Sequence, residues 1–349
     1  MLNIGKVLIT NEILKAISEI DEFKGRWQVI ENLAPEKLSH LRRIATIESV
    51  GSSTRIEGAR LSDADVEQLL SRLETKSFTT RDEQEVAGYA EAMDMIFEGY
   101  ASITITENHI KQLHGVLLKY SPKDDDHRGK YKKVNNHVEA YDANGKSLGI
   151  VMQTATPFET PLLMSELIDW YNESVNEESQ HPLIIIAIFI VVFLAIHPFR
   201  DGNGRLSRII TTLLLLRAGY TYVPYISMES IIETNKDSYY LALRRTQQKI
   251  HTSEQEWEHW LIFFLKTMVK QINNLAYKVK QEQTLLASLP ALSRQIIEMA
   301  KIRTEITVRE IEDTTKANRN TIKSHLKKLT EQNYLLQIGK GRGVRYIIK

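Results

Sequence analysis

The chain has 349 residues, 42% of them hydrophobic, with 45 Lys and Arg against 44 Asp and Glu and a net charge of +1. That length leaves room for two or three domains and a substantial core, and the even charge argues neither for nor against nucleic acid as a partner of the whole molecule. No cysteine occurs, which excludes disulfides, thiolate metal sites and a cysteine nucleophile.

The first residues, Met-Leu-Asn-Ile-Gly-Lys-Val, lack the charged and then apolar order of a signal peptide. Only residues 183–196 invite a membrane reading, and 14 residues fall short of the roughly 20 a spanning helix needs. A buried core helix in a cytoplasmic protein, with no membrane partner, is expected. Residues 1–100 read as helical, with apolar residues three and four apart in 38–50 and 66–73. A helix is expected over 106–118, capped by Thr106, with Ile110, Leu113, Leu117 and Leu118 on one face. His114 lies on that apolar side, as a satisfied core histidine rather than a ligand. Short runs at 134–138 and 149–153 flank Asp142-Ala-Asn144-Gly145, a hairpin signal. Further helices are expected over 162–172, 235–246 and 257–273.

The segment between the apolar run 183–196 and the nearly apolar 209–216 reads His197-Pro-Phe-Arg-Asp-Gly-Asn-Gly-Arg-Leu-Ser-Arg208. Gly202 and Gly204 allow backbone angles closed to other residues and let a ligand approach the main chain. Arg205 opens a second helix, whose free N–H groups and positive dipole end form an anion site. Arg205 and Arg208, three apart, share a face and can grip different phosphates. Asp201 can hold Mg²⁺, a hard cation that takes few carboxylates and prefers phosphate oxygens, and His197 can act as a general base. The combination suits an activated hydroxyl attacking a nucleotide phosphate.

This segment resembles the signature of the Fic family, His-x-Phe-x-(Asp/Glu)-Gly-Asn-Gly-Arg-x-x-Arg, with every specified position met. The resemblance implies a mainly α fold: a Fic-type helical bundle with a β-hairpin flap, made of an N-terminal helical region (1–100), a catalytic core (101–280) and a C-terminal domain (288–349). It implies transfer of AMP from ATP to a Ser, Thr or Tyr hydroxyl of a target protein or of the chain itself. His197 would take the hydroxyl proton, Asp201 would hold Mg²⁺ between the α- and β-phosphates, and Gly202, Asn203 and Gly204, with Leu206 and Ser207 behind them, would cradle the phosphates. Arg205 and Arg208 would hold the β- and γ-phosphates, Tyr239 would line the adenine, and the flap would pair with the target backbone. Ser53, Glu57 and Gly58 resemble the family's inhibitory motif (Ser/Thr)-x-x-x-Glu-(Gly/Asn), which implies that Glu57 pairs with Arg208 and obstructs the γ-phosphate. Family relatives also remove AMP or transfer other phosphate-linked groups, so the direction of transfer stays open.

After Pro290 the chain changes character, with 13 Lys and Arg against six Asp and Glu over 291–349. A short helix at 308–313, a longer one at 315–330 bearing Lys316, and a hairpin at 335–348 resemble a winged helix-turn-helix. Arg319 and Asn320 would face DNA base edges beside Lys323, with Lys340 and Arg342 on phosphates. Protein docking or homodimer formation is the other use of such a module, and a nucleotide-sensing transcriptional regulator is the alternative function.

Overall fold

The structure is a computed structural model. It describes residues 4, 7–33, 38–73, 77–136, 138–141, 147–250, 252, 255–303, 305–332, 334–339 and 341–348, with backbone alone at 31–33, 39–40, 138–141, 147–152, 282–288, 301–302 and 342. Its helices in the first half of the chain are α1 (Asn11–Leu33), α2 (Ser39–Ile56), α3 (Asp63–Leu70), α4 (Arg81–Gly99), α5 (Glu107–Leu117) and α6 (Thr160–Asn176). Next come α7 (Pro182–Ile196), α8 (Asn203–Arg217), α9 (Met228–Thr234), α10 (Lys236–Gln247) and α11 (Glu258–Ser288), then α12 (Ala291–Arg303), α13 (Val308–Thr315) and α14 (Arg319–Glu331). Strands β1 (Val138–Tyr141) and β2 (Ser147–Met152) pair antiparallel, as do β3 (Leu335–Ile338) and β4 (Arg345–Ile348). The fold is mainly helical, a helical bundle carrying a β-hairpin.

The chain divides into two compact units, Met1–Ile30 with Leu41–Ile272, and Glu31–His40 with Asn273–Lys349. The first is built around α7. Every residue of α7 after Pro182 is buried, and a helix that is apolar all round has no face to give to water. Pro182 at its first position needs no hydrogen-bond partner for a missing N–H, and His181 Nδ1 accepts the Leu183 N–H at 3.3 Å. Helices α6, α8 and α10 pack on α7, and α4 packs on α5 and α8. Thr80 and Glu83 form a reciprocal capping box at the start of α4, and Thr106 caps α5 through the His109 N–H. Among the described residues no helix is long and apolar enough to cross a membrane.

The hairpin differs from its sequence reading. Its first strand begins at Val138 instead of running over 134–138, with Val138 opposite Met152 and Tyr141 opposite Ser147. Residues 134–136 lie off the strand, where Asn136 bonds elsewhere, as described below. The turn at 142–146 lies outside the described residues.

In the second unit, Ile296, Ala300, Ile306, Ile311, Ile322, Leu326, Leu329 and Leu335 form the core. Ile306 and Tyr346 exchange both backbone hydrogen bonds at 2.8 Å, adding a bridge beside β4. The helix expected over 315–330 is shorter. Thr315 closes α13, Lys316 is left-handed at φ 56, and Asn318 caps α14 by accepting the Asn320 N–H at 2.8 Å. Lys316 therefore sits in the turn, while Arg319, Asn320 and Lys323 are exposed on α14. Lys340 lies outside the described residues, and Arg342 is described in its backbone only.

Candidate active site

Residues 197–202 join α7 to α8, and the joint is a sharp one. His197 closes α7 in the left-handed region at φ 54, and Gly202 precedes α8 at φ 78. Asn203 fastens the loop at its root: its Oδ1 accepts the Phe199 N–H at 2.9 Å and its Nδ2 donates to the Phe199 carbonyl at 2.7 Å. That side chain is thereby occupied, so what Asn203 offers a phosphate is its backbone. No side chain caps α8, which leaves the N–H groups of its first turn and the positive end of its dipole facing the loop. Leu206 and Ser207 are buried behind this turn. The Leu206 N–H is spent on the Gly202 carbonyl at 2.8 Å, and the Ser207 hydroxyl on that of Gly204 at 2.7 Å.

The His197 ring donates from Nδ1 to the Leu194 carbonyl at 3.3 Å. A carbonyl can only accept, so in the neutral ring Nε2 carries the lone pair. Burial is the largest influence on this ring and brings it down to about 4, against the bond to Leu194. The imidazole is therefore neutral at ordinary pH and able to take a proton.

The two motif arginines are buried and already engaged. Arg205, 2% exposed, has Glu85 at 3.0 Å and Asp201 at 3.4 Å. Arg208 donates from Nε to the Ser53 hydroxyl at 2.8 Å, and from Nη2 to the Ser53 carbonyl at 2.9 Å and Glu57 Oε1 at 2.7 Å. The structure thus unites Ser53 and Glu57, from the end of α2, with the last motif residue. Glu57 also covers the start of α8, because a Cβ built on Gly204 would collide with its carboxylate. Burial works to raise the Glu57 carboxyl, but the charge and hydrogen bond of Arg208, with Arg205 and His197 beyond, outweigh it and hold the group below its ordinary value. Gly58 follows at φ 106, a conformation that favours glycine.

Asp201 receives the Gly202 N–H on Oδ1 and Arg81 on Oδ2, both at 2.6 Å. Burial would raise this carboxyl as well. Arg205, the Gly202 N–H and Arg81 together keep it below the usual range. Tyr239 is 3% exposed, packed with Tyr240, Trp260 and Phe263 behind Arg208, while Tyr240 is 41% exposed.

The contacts that hold this geometry from outside the motif carry no sequence signal. Arg81 bridges Glu85 and Asp201. His114 is the core histidine expected, fully satisfied: Nδ1 accepts the Gly129 N–H at 2.9 Å, and Nε2 faces the Asp201 carbonyl at 3.0 Å and so must donate to it. Its ring stacks on Phe199 with centroids 3.9 Å apart, so it braces the motif loop from below. Burial lowers this ring too, to about 4. Lys132 and Asn136 hold the loop from the other side, and burial brings the Lys132 ammonium down to about 8.

Comparison with known proteins matches the chain to Fic proteins. The Fic/DOC family model matches residues 104–215. The protein adenylyltransferase Fic of Drosophila mojavensis is 27% identical over 208 residues, covering 59% of this chain and 38% of that protein. Its counterpart in Drosophila willistoni is 28% identical over 208 residues, covering 59% and 39%. The chain thus spans about two fifths of the length of these curated relatives. Among solved structures, a Fic family protein from Desulfovibrio desulfuricans G20 superposes with a TM-score of 0.66 at 22% identity, covering 99% of this chain and 98% of that one. A Fic domain containing signaling protein from Bacteroides thetaiotaomicron VPI-5482 gives 0.60 at 22% identity, covering 74% and 95%. The signature His197–Arg208 lies inside the matched stretch, and the chain carries a Fic/DOC domain over residues 104–215.

Proposed function

We propose that the chain is an autoinhibited protein adenylyltransferase, which transfers AMP from ATP to a hydroxyl of a protein target. The observation that carries this reading is the grip of Ser53 and Glu57 on Arg208 over the uncapped start of α8. The last motif arginine is committed to a carboxylate where a phosphate would need the same donors, and that carboxylate lies against Gly204. Release of Glu57 frees one Nη2 donor of Arg208, with Ser53 keeping Nε and the other Nη2 donor, and uncovers the helix terminus.

The chemistry assigned to the site follows from its parts. The target hydroxyl gives its proton to His197 Nε2, and its oxygen bonds to the α-phosphorus. The bond from that phosphorus to the β-phosphate oxygen breaks, and pyrophosphate leaves. Positioning and charge neutralisation dominate such transfers, which is the work suited to Arg205, Arg208 and the first turn of α8. Asp201 fits a magnesium ion as a single carboxylate, with phosphate oxygens supplying other ligands; among the described residues no cluster of three metal-binding side chains stands ready to bind one alone. When bound, the ion would neutralise phosphate charge.

The test is incubation of wild type, Glu57→Gly and Glu57→Gly/His197→Ala with ATP and Mg²⁺, followed by intact mass of the chain and of added protein targets. A gain of one AMP in the single variant alone supports the reading, and equal labelling by the double variant refutes the role of His197. If wild type instead strips AMP from labelled product, removal is the direction and Glu57 serves it.

A second reading concerns the second unit, where the exposed Arg319, Asn320 and Lys323 at the start of α14 suit a DNA contact. Retention on DNA that falls with salt and is lost in Arg319→Ala/Lys323→Ala would support it. DNA retention with no AMP transfer in Glu57→Gly would favour a nucleotide-sensing regulator.

A further inference from the structure

Four consecutive carbonyls carry the chain from the end of α7 into the motif loop, and one short segment holds all four. Lys132 Nζ donates to the Ile196 carbonyl at 3.0 Å, and the Lys132 N–H to that of Pro198 at 2.9 Å. Asn136 Nδ2 donates to the Phe199 carbonyl at 2.6 Å and the His197 carbonyl at 3.3 Å. The other two ammonium donors of Lys132 go to Asn136 Oδ1 at 2.8 Å and Thr154 Oγ1 at 3.1 Å. An ammonium has three N–H bonds and an amide nitrogen two, so every donor of both side chains is used. A buried polar network that is fully satisfied is rigid and specific, whereas a partly satisfied one is costly.

The loop needs such bracing. His197 is left-handed at φ 54 and ψ 59, which for a residue with a Cβ persists only where the surroundings over-determine it. The last carbonyls of α7 also lack helical partners, and a cation beside them is favourable. The same network reaches the hairpin, since Asn136 stands two residues before β1 and Thr154 two residues after β2.

We propose that Lys132, acting with Asn136, is a positioning residue: it fixes the left-handed turn that aims the His197 ring and ties that turn to both roots of the β1–β2 hairpin. What the ring does rests on the transferase reading above; the joint itself does not. A hydroxyl presented at the hairpin and the base that receives its proton are then held in one frame, so a target cannot be seated without registering against His197.

The experiment compares full-length wild type, Lys132→Met and Asn136→Ala by hydrogen exchange, with matching kinetics in the Glu57→Gly background. Lys132→Met keeps the length of the stem and removes the donors. Exchange is expected to quicken about tenfold in residues 196–203 and in β2 together, with α4 and the second half of α8 unchanged. For AMP transfer, kcat is expected to fall about 100-fold with the ATP KM unchanged, and Lys132→Met is expected to cost nothing further once His197→Ala is present. Unchanged exchange, or faster exchange throughout the first unit, overturns the proposal. So does a rise in ATP KM that accounts for the loss of rate. If Glu57→Gly transfers no AMP yet both segments loosen together, the joint stands and the transferase reading falls. Asn136→Ala, which removes the bonds to His197 and Phe199 and an acceptor shared by Lys132 and the Thr154 hydroxyl, decides the matter if Lys132→Met does not fold.

Discussion

Arg208 and Glu57 meet through Nη2 and Oε1 at 2.7 Å, and the pair is lopsided: the arginine side chain is 5% exposed and the glutamate 33%. The buried partner belongs to the motif helix and the open one to the end of α2. In the proposed inhibition the blocking group is therefore the more exposed member of the pair, a carboxylate that can leave without dismantling the core. Ser53 remains on Arg208 when Glu57 departs, since its hydroxyl and carbonyl make separate bonds.

Glu57→Gly should accordingly destabilise the nucleotide-free protein while sensitising it to ATP. Losing one partner of a buried charged group costs about 1–3 kcal/mol or more, and phosphate restores what was lost. The expected result is a lower Tm than wild type without ligand and a larger rise on adding ATP and Mg²⁺. Equal rises in the two proteins would show that Glu57 does not compete with the nucleotide.

The position of Glu57 is set two residues earlier. Arg55 pairs with Glu233 through two bonds of 2.7 and 3.0 Å and with Asp63 at 2.9 Å, and Lys236 donates to the Ile56 carbonyl at 2.6 Å. These contacts pin the end of α2 to α9 and α10. Arg55→Ala is expected to raise AMP transfer about tenfold, less than Glu57→Gly, because a loosened Glu57 still samples Arg208. In the double variant Arg55→Ala should add nothing, as measured by initial rates; an additive gain would place its effect elsewhere.

Much of this site was legible in the sequence because its signal is local. The apolar flanks, the two glycines and the arginine spacing all lie in one stretch, and the expected pairing of Glu57 with Arg208 followed from two short motifs. Lys132 and Arg81 were not legible, and His114 was legible as a core histidine but not as the partner of Asp201. Lys132 meets Ile196 across 64 positions, His114 meets Asp201 across 87, and Arg81 meets Asp201 across 120. No periodicity links residues so far apart. The misplaced first strand has the same origin: 134–138 looks extended, but Asn136 is claimed by carbonyls of the motif loop. The helix expected from 315 begins later because Asn318 caps it and Lys316 turns left-handed.

The neutral His197 ring makes a pH prediction of definite sign. Its folded value, about 4, lies below the ordinary 6.5, so between these values the unfolded chain holds a proton that the folded one does not. The stability linked to this ring is complete above pH 6.5 and is lost as pH falls toward 4, by at most about 3 kcal/mol. Urea unfolding at pH 7.5 and pH 5 should show a smaller pH effect in His197→Ala than in wild type. AMP transfer by Glu57→Gly should likewise show its acid limb below pH 6.5, and a midpoint near 6.5 would mean that the ring titrates as if exposed.

Arg81 and a magnesium ion would want the same atom. Arg81 Nη2 lies 2.6 Å from Asp201 Oδ2, with both side chains about two-fifths exposed, at 41% and 39%. An ion pair so placed contributes about 1 kcal/mol or less, which a divalent cation bridging to phosphate can displace. Arg81→Ala in the Glu57→Gly background should therefore lower the magnesium concentration needed for half-maximal transfer several-fold while leaving kcat nearly unchanged. Titrating the metal from an EDTA-treated enzyme measures both quantities. A higher magnesium requirement would assign Arg81 the opposite task, that of aiming the Asp201 carboxylate for the metal, with Glu85 holding the guanidinium in place at 2.8 Å.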